Sequence, residues 1–244
     1  MGIKNAVIAA LAGLGLSFTV VAVDYNRDGS GTQKFIDGVA ITRQDMIDAS
    51  VQIGNYCSGT VIEDPNLKDG EQVTIITAKH CVKEIGEKVV INVNFADPLS
   101  SEPIRTVKPF VFRVVDMGGE GVDLALLQMT DLNQVKDWKV KPVSIAHRPV
   151  YEGEKVTVIG YPRGLYRVIT EGFASLPFDI GYDFGVVQVM GVLISPGNSG
   201  GGVFNEFNEL VGVTTLAYGR SFDYLSGATL YSEVKAFLGE GNGS

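Results

Sequence analysis

Apolar residues along this chain recur mostly in short runs in which β-branched types dominate, and clusters of polar and turn-forming residues break the runs. Val73-Thr74-Ile75-Ile76 is typical. Strand-like runs cover 59–62, 73–77, 88–94, 106–115, 124–129, 155–160, 167–174, 186–192, 202–204, 210–216 and 226–231. Between them lie turn signals such as Asp64-Pro65-Asn66, Asp69-Gly70, Gly118-Gly119 and the polar stretch 205–208. Helical patterning is confined to two short pieces. One is 44–50; the other is 232–238, with Ser232 placed as N-cap and Gly239 just past the end. Short strands at this spacing predict an all-β barrel or sandwich architecture. No internal repeat or low-complexity segment interrupts it.

The ends read differently. Lys4 precedes an uncharged apolar stretch, 6–21, and Val20-Val21-Ala22 supplies small residues for cleavage before Val23. Residues 1–22 are therefore expected to be a secretory signal, with an uncleaved membrane anchor as the competing reading. Residues 23–34 are polar and turn-rich. Asp24-Tyr25-Asn26-Arg27-Asp28-Gly29 imitates the start of a calcium-binding loop, but Phe35 stands where that loop needs a bidentate Glu, so a linker is the better reading. The chain has 244 residues, 45% of them hydrophobic, enough for a large core. A net charge of −8 argues against nucleic-acid partners and anionic membrane surfaces.

Candidate chemistry gathers at Ser195-Pro196-Gly197-Asn198-Ser199-Gly200-Gly201-Gly202. A serine hydroxyl becomes a nucleophile only when a base takes its proton. The glycines allow sharp bends that aim backbone N–H groups at one spot, as an oxyanion hole requires. The same residues fit the G-x-S-x-G elbow of α/β-hydrolases, whose order is serine, acid, histidine. The two histidines, His80 and His147, both precede Ser199, so that reading fails. His80 follows a strand-like run, in Thr77-Ala78-Lys79-His80-Cys81. Asp123 heads the apolar run Leu124-Ala125-Leu126-Leu127 and can hold an imidazole through its Nδ1–H. Asp116 lies nearby beside a glycine turn, and His147 sits in a loop as an expected surface residue.

Together these blocks resemble the chymotrypsin-like serine proteases: Thr77–Cys81 their T-A-A-H-C, Asp123–Leu127 their D-I/L-A-L-L, and Gly197–Gly201 their G-D/N-S-G-G. The segments 158–165, 168–172 and 194–201 are similar to blocks of bacterial HtrA/Deg-type proteases. The latter usually carry a C-terminal peptide-binding PDZ domain. The sequence runs about six residues past its last helical segment, so a PDZ domain is not expected within these 244 residues.

The resemblance implies two six-stranded antiparallel β-barrels and a short C-terminal helix. An N-terminal segment (23–50) would precede a first barrel (51–135), and a second barrel with the closing helix would span 136–244, with the crossing at 136–142. It implies a secreted or periplasmic serine endopeptidase acting on proteins or peptides, free of the membrane once the signal is cut. His80, Asp123 and Ser199 would form the triad, with Gly197 and Ser199 donating the oxyanion-hole N–H groups. No cofactor or metal is expected. Two cysteines in an exported chain suggest one disulfide, and the family places a bridge at Cys57–Cys81. Many family members have Asp where Asn198 stands, pairing with a new N-terminus after zymogen cleavage; Asn cannot form that ion pair, so its loop must be ordered otherwise. Leu193 is the expected pocket floor beside Ile194, with Thr215, Leu216 and Ala217 as the opposite wall. That lining predicts cleavage after small or medium aliphatic residues, with glutamyl preference through Thr214 or Thr215 as runner-up. A catalytically silent binding protein on the same fold is the alternative from another class.

Overall fold

The computed structural model describes residues 41–67, 72–95, 106–129, 131–179, 185–217 and 225–239. The leader, the 23–34 linker and the calcium-loop-like segment fall outside them. The first element is a short helix, α1 (Arg43–Asp48), whose Thr42 hydroxyl and Asp45 carboxylate cap each other's backbone N–H groups. Six strands follow: β1 (Ser50–Ile53), β2 (Cys57–Ile62), β3 (Thr74–Thr77), β4 (Lys88–Phe95), β5 (Thr106–Met117) and β6 (Ala125–Met129). They close a barrel in the order β1-β2-β3-β6-β5-β4, sealed where Gln52 and Ile53 of β1 face Asn92 and Ile91 of β4.

A second closed antiparallel barrel takes β7 (Lys155–Gly160), β8 (Val168–Asp179), β9 (Val186–Met190), β10 (Gly202–Phe204), β11 (Leu210–Ala217) and β12 (Ser226–Thr229), in the order β10-β11-β12-β9-β8-β7. The two-barrel expectation therefore holds. Closure removes the unpaired strand edges that an open sheet of this size would expose. Ile53, Ile75, Ile91, Phe112 and Leu127 fill the first barrel. The second core uses smaller side chains, including Val156, Val158, Val203 and Ala228. On β7 and β10 the pleat splits neighbouring residues between the two. Val158 and Val203 enter the second core, whereas Ile159 and Phe204 join the first barrel's cluster. The barrels thus share an apolar seam.

Three details differ from the sequence expectation. β1 begins at Ser50, where a helix was expected to be ending, and its four residues, Ser-Val-Gln-Ile, are buried along the whole length. Where 136–142 was expected to be the plain crossing, a short helix, α2 (Leu132–Asp137), runs into it, capped by the Asp131 carboxylate accepting from Asn133 N at 2.9 Å. Trp138 then packs edge-on against Phe110 and Phe112, with ring centroids 4.8 and 5.6 Å away. The closing helix, α3 (Tyr231–Phe237), starts earlier than expected. Leu230 is the N-cap position, its N–H bonded to the Glu233 carboxylate, so Ser232 lies inside the first turn. Val234 and Leu238 bury α3 against the first barrel's cluster.

Candidate active site

The register of the first barrel brings two distant residues to one rim. β3 and β6 are neighbours, with Thr77 opposite Ala125. His80 comes three residues after Thr77, in a single 3-10 turn over Lys79–Cys81; Asp123 comes two residues before Ala125. Both therefore emerge at the same end of the same strand pair. His80 Nδ1 lies 2.8 Å from Asp123 Oδ2 and 3.1 Å from Oδ1. The His80 backbone N–H donates to Oδ1 at 3.0 Å, and the Thr215 hydroxyl donates to Oδ2. Asp123 is 7% exposed, and these donors replace its water. The His80 side chain stays 39% exposed. Asp116 is not part of this cluster; its carboxylate accepts the neighbouring Met117 N–H. His147 is an exposed loop residue.

The Ser199 loop comes from the second barrel and is tied to the first through one residue, Ser58. Ser58 N–H donates to Ser199 O at 2.8 Å, and its hydroxyl donates to Gly197 O at 2.7 Å. The same hydroxyl accepts from Tyr161 N at 2.9 Å, and Ser58 O accepts from the Thr77 hydroxyl at 2.7 Å. Ser199 and the strand leading to His80 thus hang on the same β2 residue. From the other side Gly200 N–H donates to Thr214 O at 2.8 Å, and the Thr214 hydroxyl donates to Asn198 O. These bonds order the loop without an ion pair at Asn198, whose side chain is itself buried.

Two glycines are required here by both angle and space. Gly200 has φ +84°, and a Cβ there would lie 2.1 Å from Thr77 Oγ1 and 2.2 Å from Ser58 O. Gly197 has φ +103°, and a Cβ would lie 2.5 Å from Arg163 N. Arg163, itself at φ 53°, donates its N–H to Pro196 O at 2.6 Å. In a trans peptide the next N–H points the opposite way, so Gly197 N–H faces away from the 161–163 turn. Among the described residues neither Gly197 N–H nor Ser199 N–H is spent on a backbone acceptor.

Cys57 and Cys81 form a disulfide with Cα atoms 6.0 Å apart, fastening the His80 turn to β2. Their sulfurs and a His80 nitrogen lie within 4.8 Å of one another, but both sulfurs are spent in the S–S bond, so no thiolate is left to bind a metal. The chain belongs to the trypsin-like peptidase domain family. Its family model matches residues 57–213, a span that holds the disulfide, His80, Asp123 and Ser199. Among curated relatives, "Protease Do-like 2, chloroplastic" of Arabidopsis thaliana is 34% identical over 106 residues, 41% of this chain and 17% of that protein. "Serine endoprotease DegS" of Escherichia coli K12 is 32% identical over 117 residues, 46% of this chain and 32% of that protein. A "Probable periplasmic serine endoprotease DegP-like" of Halomonas elongata is 30% identical over 156 residues, 62% of this chain and 28% of that protein. The chain thus spans a third or less of these relatives' length. In fold it is similar to the Rv3671c protease of M. tuberculosis in its active form, with a TM-score of 0.60 at 20% identity, covering 82% of this chain and 84% of that one.

The expected pocket residues are scattered in their environments. Leu193 is 53% exposed, which does not match a closed pocket floor; 191–195 carries no regular structure that would bury it. Ile194 and Leu216 are half-buried, and Ala217 closes β11 opposite Ser226. Thr215 was expected as pocket wall, yet its hydroxyl proton is spent on Asp123. Sequence reasoning missed Ser58 as the tie between the barrels. Its position directly after Cys57 was the available signal, but a single serine in a strand carries no pattern of its own.

Proposed function

We propose that this chain is a serine endopeptidase working through Ser199, His80 and Asp123 and an acyl-enzyme intermediate. The observation that carries the reading is the three-donor clasp on Asp123, which leaves His80 Nδ1 as the protonated nitrogen and Nε2 as the base. In the proposed cycle His80 Nε2 takes the Ser199 Oγ proton as Oγ attacks the scissile carbonyl. Gly197 and Ser199 N–H groups receive the developing oxyanion, and the imidazolium then protonates the leaving amine. Water repeats the sequence in reverse to free the acid product.

Proteins or peptides are the proposed substrates, with small or medium aliphatic residues before the scissile bond. The apolar, half-buried side chains of Ile194 and Leu216 support this choice. The runner-up glutamyl preference loses its donors, because the hydroxyl protons of Thr214 and Thr215 are already committed within the fold. Export to the periplasm or the outside is part of the proposal; the signal-like leader and the Cys57–Cys81 disulfide support it. Among the described residues no helix is long and apolar enough to cross a membrane.

A fluorophosphonate probe tests the reading. The expected result is stoichiometric labelling of Ser199, abolished in Ser199→Ala and accompanied by peptide-library cleavage after aliphatic residues. A folded wild-type protein that neither labels nor cleaves points to the silent binding protein instead, and dominant cleavage after Lys or Arg refutes the pocket.

A further inference from the structure

Asp123 rides on a connection that has little to hold it. Between β5 and β6 the chain runs Gly118-Gly119-Glu120-Gly121-Val122-Asp123-Leu124, three of its seven residues being glycine. It closes on itself through Gly118 N to Leu124 O at 2.7 Å and Val122 N to Gly119 O at 3.3 Å. Gly118 is packed so tightly that a Cβ would lie 2.4 Å from Val122 O. The glycines offer no side chain for anchorage, and their backbone entropy opposes a fixed shape. Asp123 must nevertheless be held within a few tenths of an ångström of His80 Nδ1 for the imidazole to be oriented.

Lys79 supplies an anchor from outside the loop. Its ammonium donates to Gly118 O at 2.7 Å and to Gly119 O at 3.2 Å. Charge-assisted bonds of this kind are stronger than neutral ones. Lys79 is also the residue before His80, in the same 3-10 turn. One turn therefore grips both ends of one connection: Lys79 Nζ holds its start and His80 N–H holds the Asp123 carboxylate at its end. The turn is fixed in its own right by the Cys57–Cys81 bridge. Lys79 stands where the T-A-A-H-C motif carries alanine, a residue that could make neither bond. A groove of about 590 Å³ runs between the turn and the connection, lined by Lys79, His80, Lys83, Glu120 and Asp123 among others. The Lys79 side chain straps its two walls together.

We propose that Lys79 is a positioning residue, setting the distance and angle between Asp123 and His80 by clamping the Gly118–Gly119 carbonyls. The inference rests on the triad reading. It acts through the imidazole: the Lys79 ammonium is engaged by the Gly118 and Gly119 carbonyls rather than by the triad side chains. Its loss should therefore lower turnover and leave substrate binding intact.

The test compares Lys79→Met, Lys79→Arg and Lys83→Met, each checked for an intact fold by circular dichroism. Lys79→Met keeps the aliphatic stem and removes the ammonium; the expected result is a kcat lower by roughly 10- to 100-fold with KM within about twofold. Lys79→Arg can still reach both carbonyls and should recover most of the loss. Lys83→Met removes one positive charge from the same groove without touching the clamp and should stay within about twofold of wild type. A second readout does not depend on activity. With two histidines in the chain, ¹⁵N-histidine labelling makes the His80 Nδ1–H proton assignable. That resonance should be sharp and slowly exchanging in wild type and in Lys79→Arg, and broadened by exchange in Lys79→Met. If wild type shows no peptidase activity, the protease reading fails while the resonance still decides the clamp. An unchanged resonance in Lys79→Met overturns the proposal, as does an equal loss of kcat in Lys83→Met.

Discussion

At the scale of single residues, the site is an arrangement of hydrogen-bond donors around one buried carboxylate. Asp123 accepts from the His80 backbone, the His80 ring and the Thr215 hydroxyl. These contacts make different contributions, and substitution separates them. Asp123→Asn keeps the shape but presents an amide N–H to Nδ1, driving the proton to Nε2, where the proposed mechanism needs a base. A loss of about 10⁴ in kcat is expected. Thr215→Val removes one donor from a buried carboxylate that keeps its other two, so the loss should be about 10-fold or less, with the tautomer retained. Steady-state kinetics on one peptide substrate checks both. A Thr215→Val loss as large as that of Asp123→Asn contradicts the assigned division of labour.

At the scale of elements, the short 3-10 turn bearing His80 depends on its bond to β2. It spans Lys79–Cys81, too short to be stable by itself. The disulfide closes a sequence separation of 24 residues. The chain-entropy model assigns such a loop roughly 3 kcal/mol of stabilisation. The double variant Cys57→Ser, Cys81→Ser should therefore lose about that much stability in urea unfolding. It should also lose activity under conditions where it is still fully folded, because the His80 turn is freed. Stability equal to wild type would show that the bridge only decorates a turn already held by its other contacts. The Ser199 loop shows the same dependence: its shape is set by Ser58 on β2 and Thr214 on β11, at long sequence distance.

At the scale of the whole molecule, pH acts on the segment joining the barrels. Arg148 and Glu154 form a two-pronged pair there, both bonds 2.8 Å, each side chain about a quarter exposed. Burial pushes the Glu154 carboxyl up, but the Arg148 bonds and the Tyr151 N–H outweigh it, and the group titrates below its ordinary value of 4.5. A depressed carboxyl stabilises the fold above the unfolded-chain value and loses that contribution as pH falls through the folded value. Arg148→Met should cost about 1 kcal/mol near neutral pH. The gap to wild type should narrow as pH falls below the ordinary carboxyl value of 4.5 and Glu154 takes up its proton. Urea midpoints measured from pH 7 to pH 3 check this; a gap constant across that range contradicts it.

Much of the molecule was legible in the amino-acid order alone. Strand-like runs, turn signals and the closing helix follow from local rules of period and punctuation, and most lie within a few residues of their observed bounds. The serine in its glycine cluster, the histidine after a strand and the aspartate heading another announced a chemistry because each type is rare in that setting. β1 was missed because four residues, Ser-Val-Gln-Ile, are too short a run to stand out, and α2 because six residues span too few turns to show a period. What only the tertiary structure decided is how the pieces meet. The pairing of β3 with β6 places His80 beside Asp123, and Ser58 hangs the Ser199 loop beside them. Thr215 turns from the expected pocket wall to the Asp123 carboxylate, and Lys79 reaches the carbonyls opposite. These are contacts between residues far apart in sequence. A hydrogen bond is settled by fractions of an ångström and by direction, which only the closed barrels and their shared seam determine.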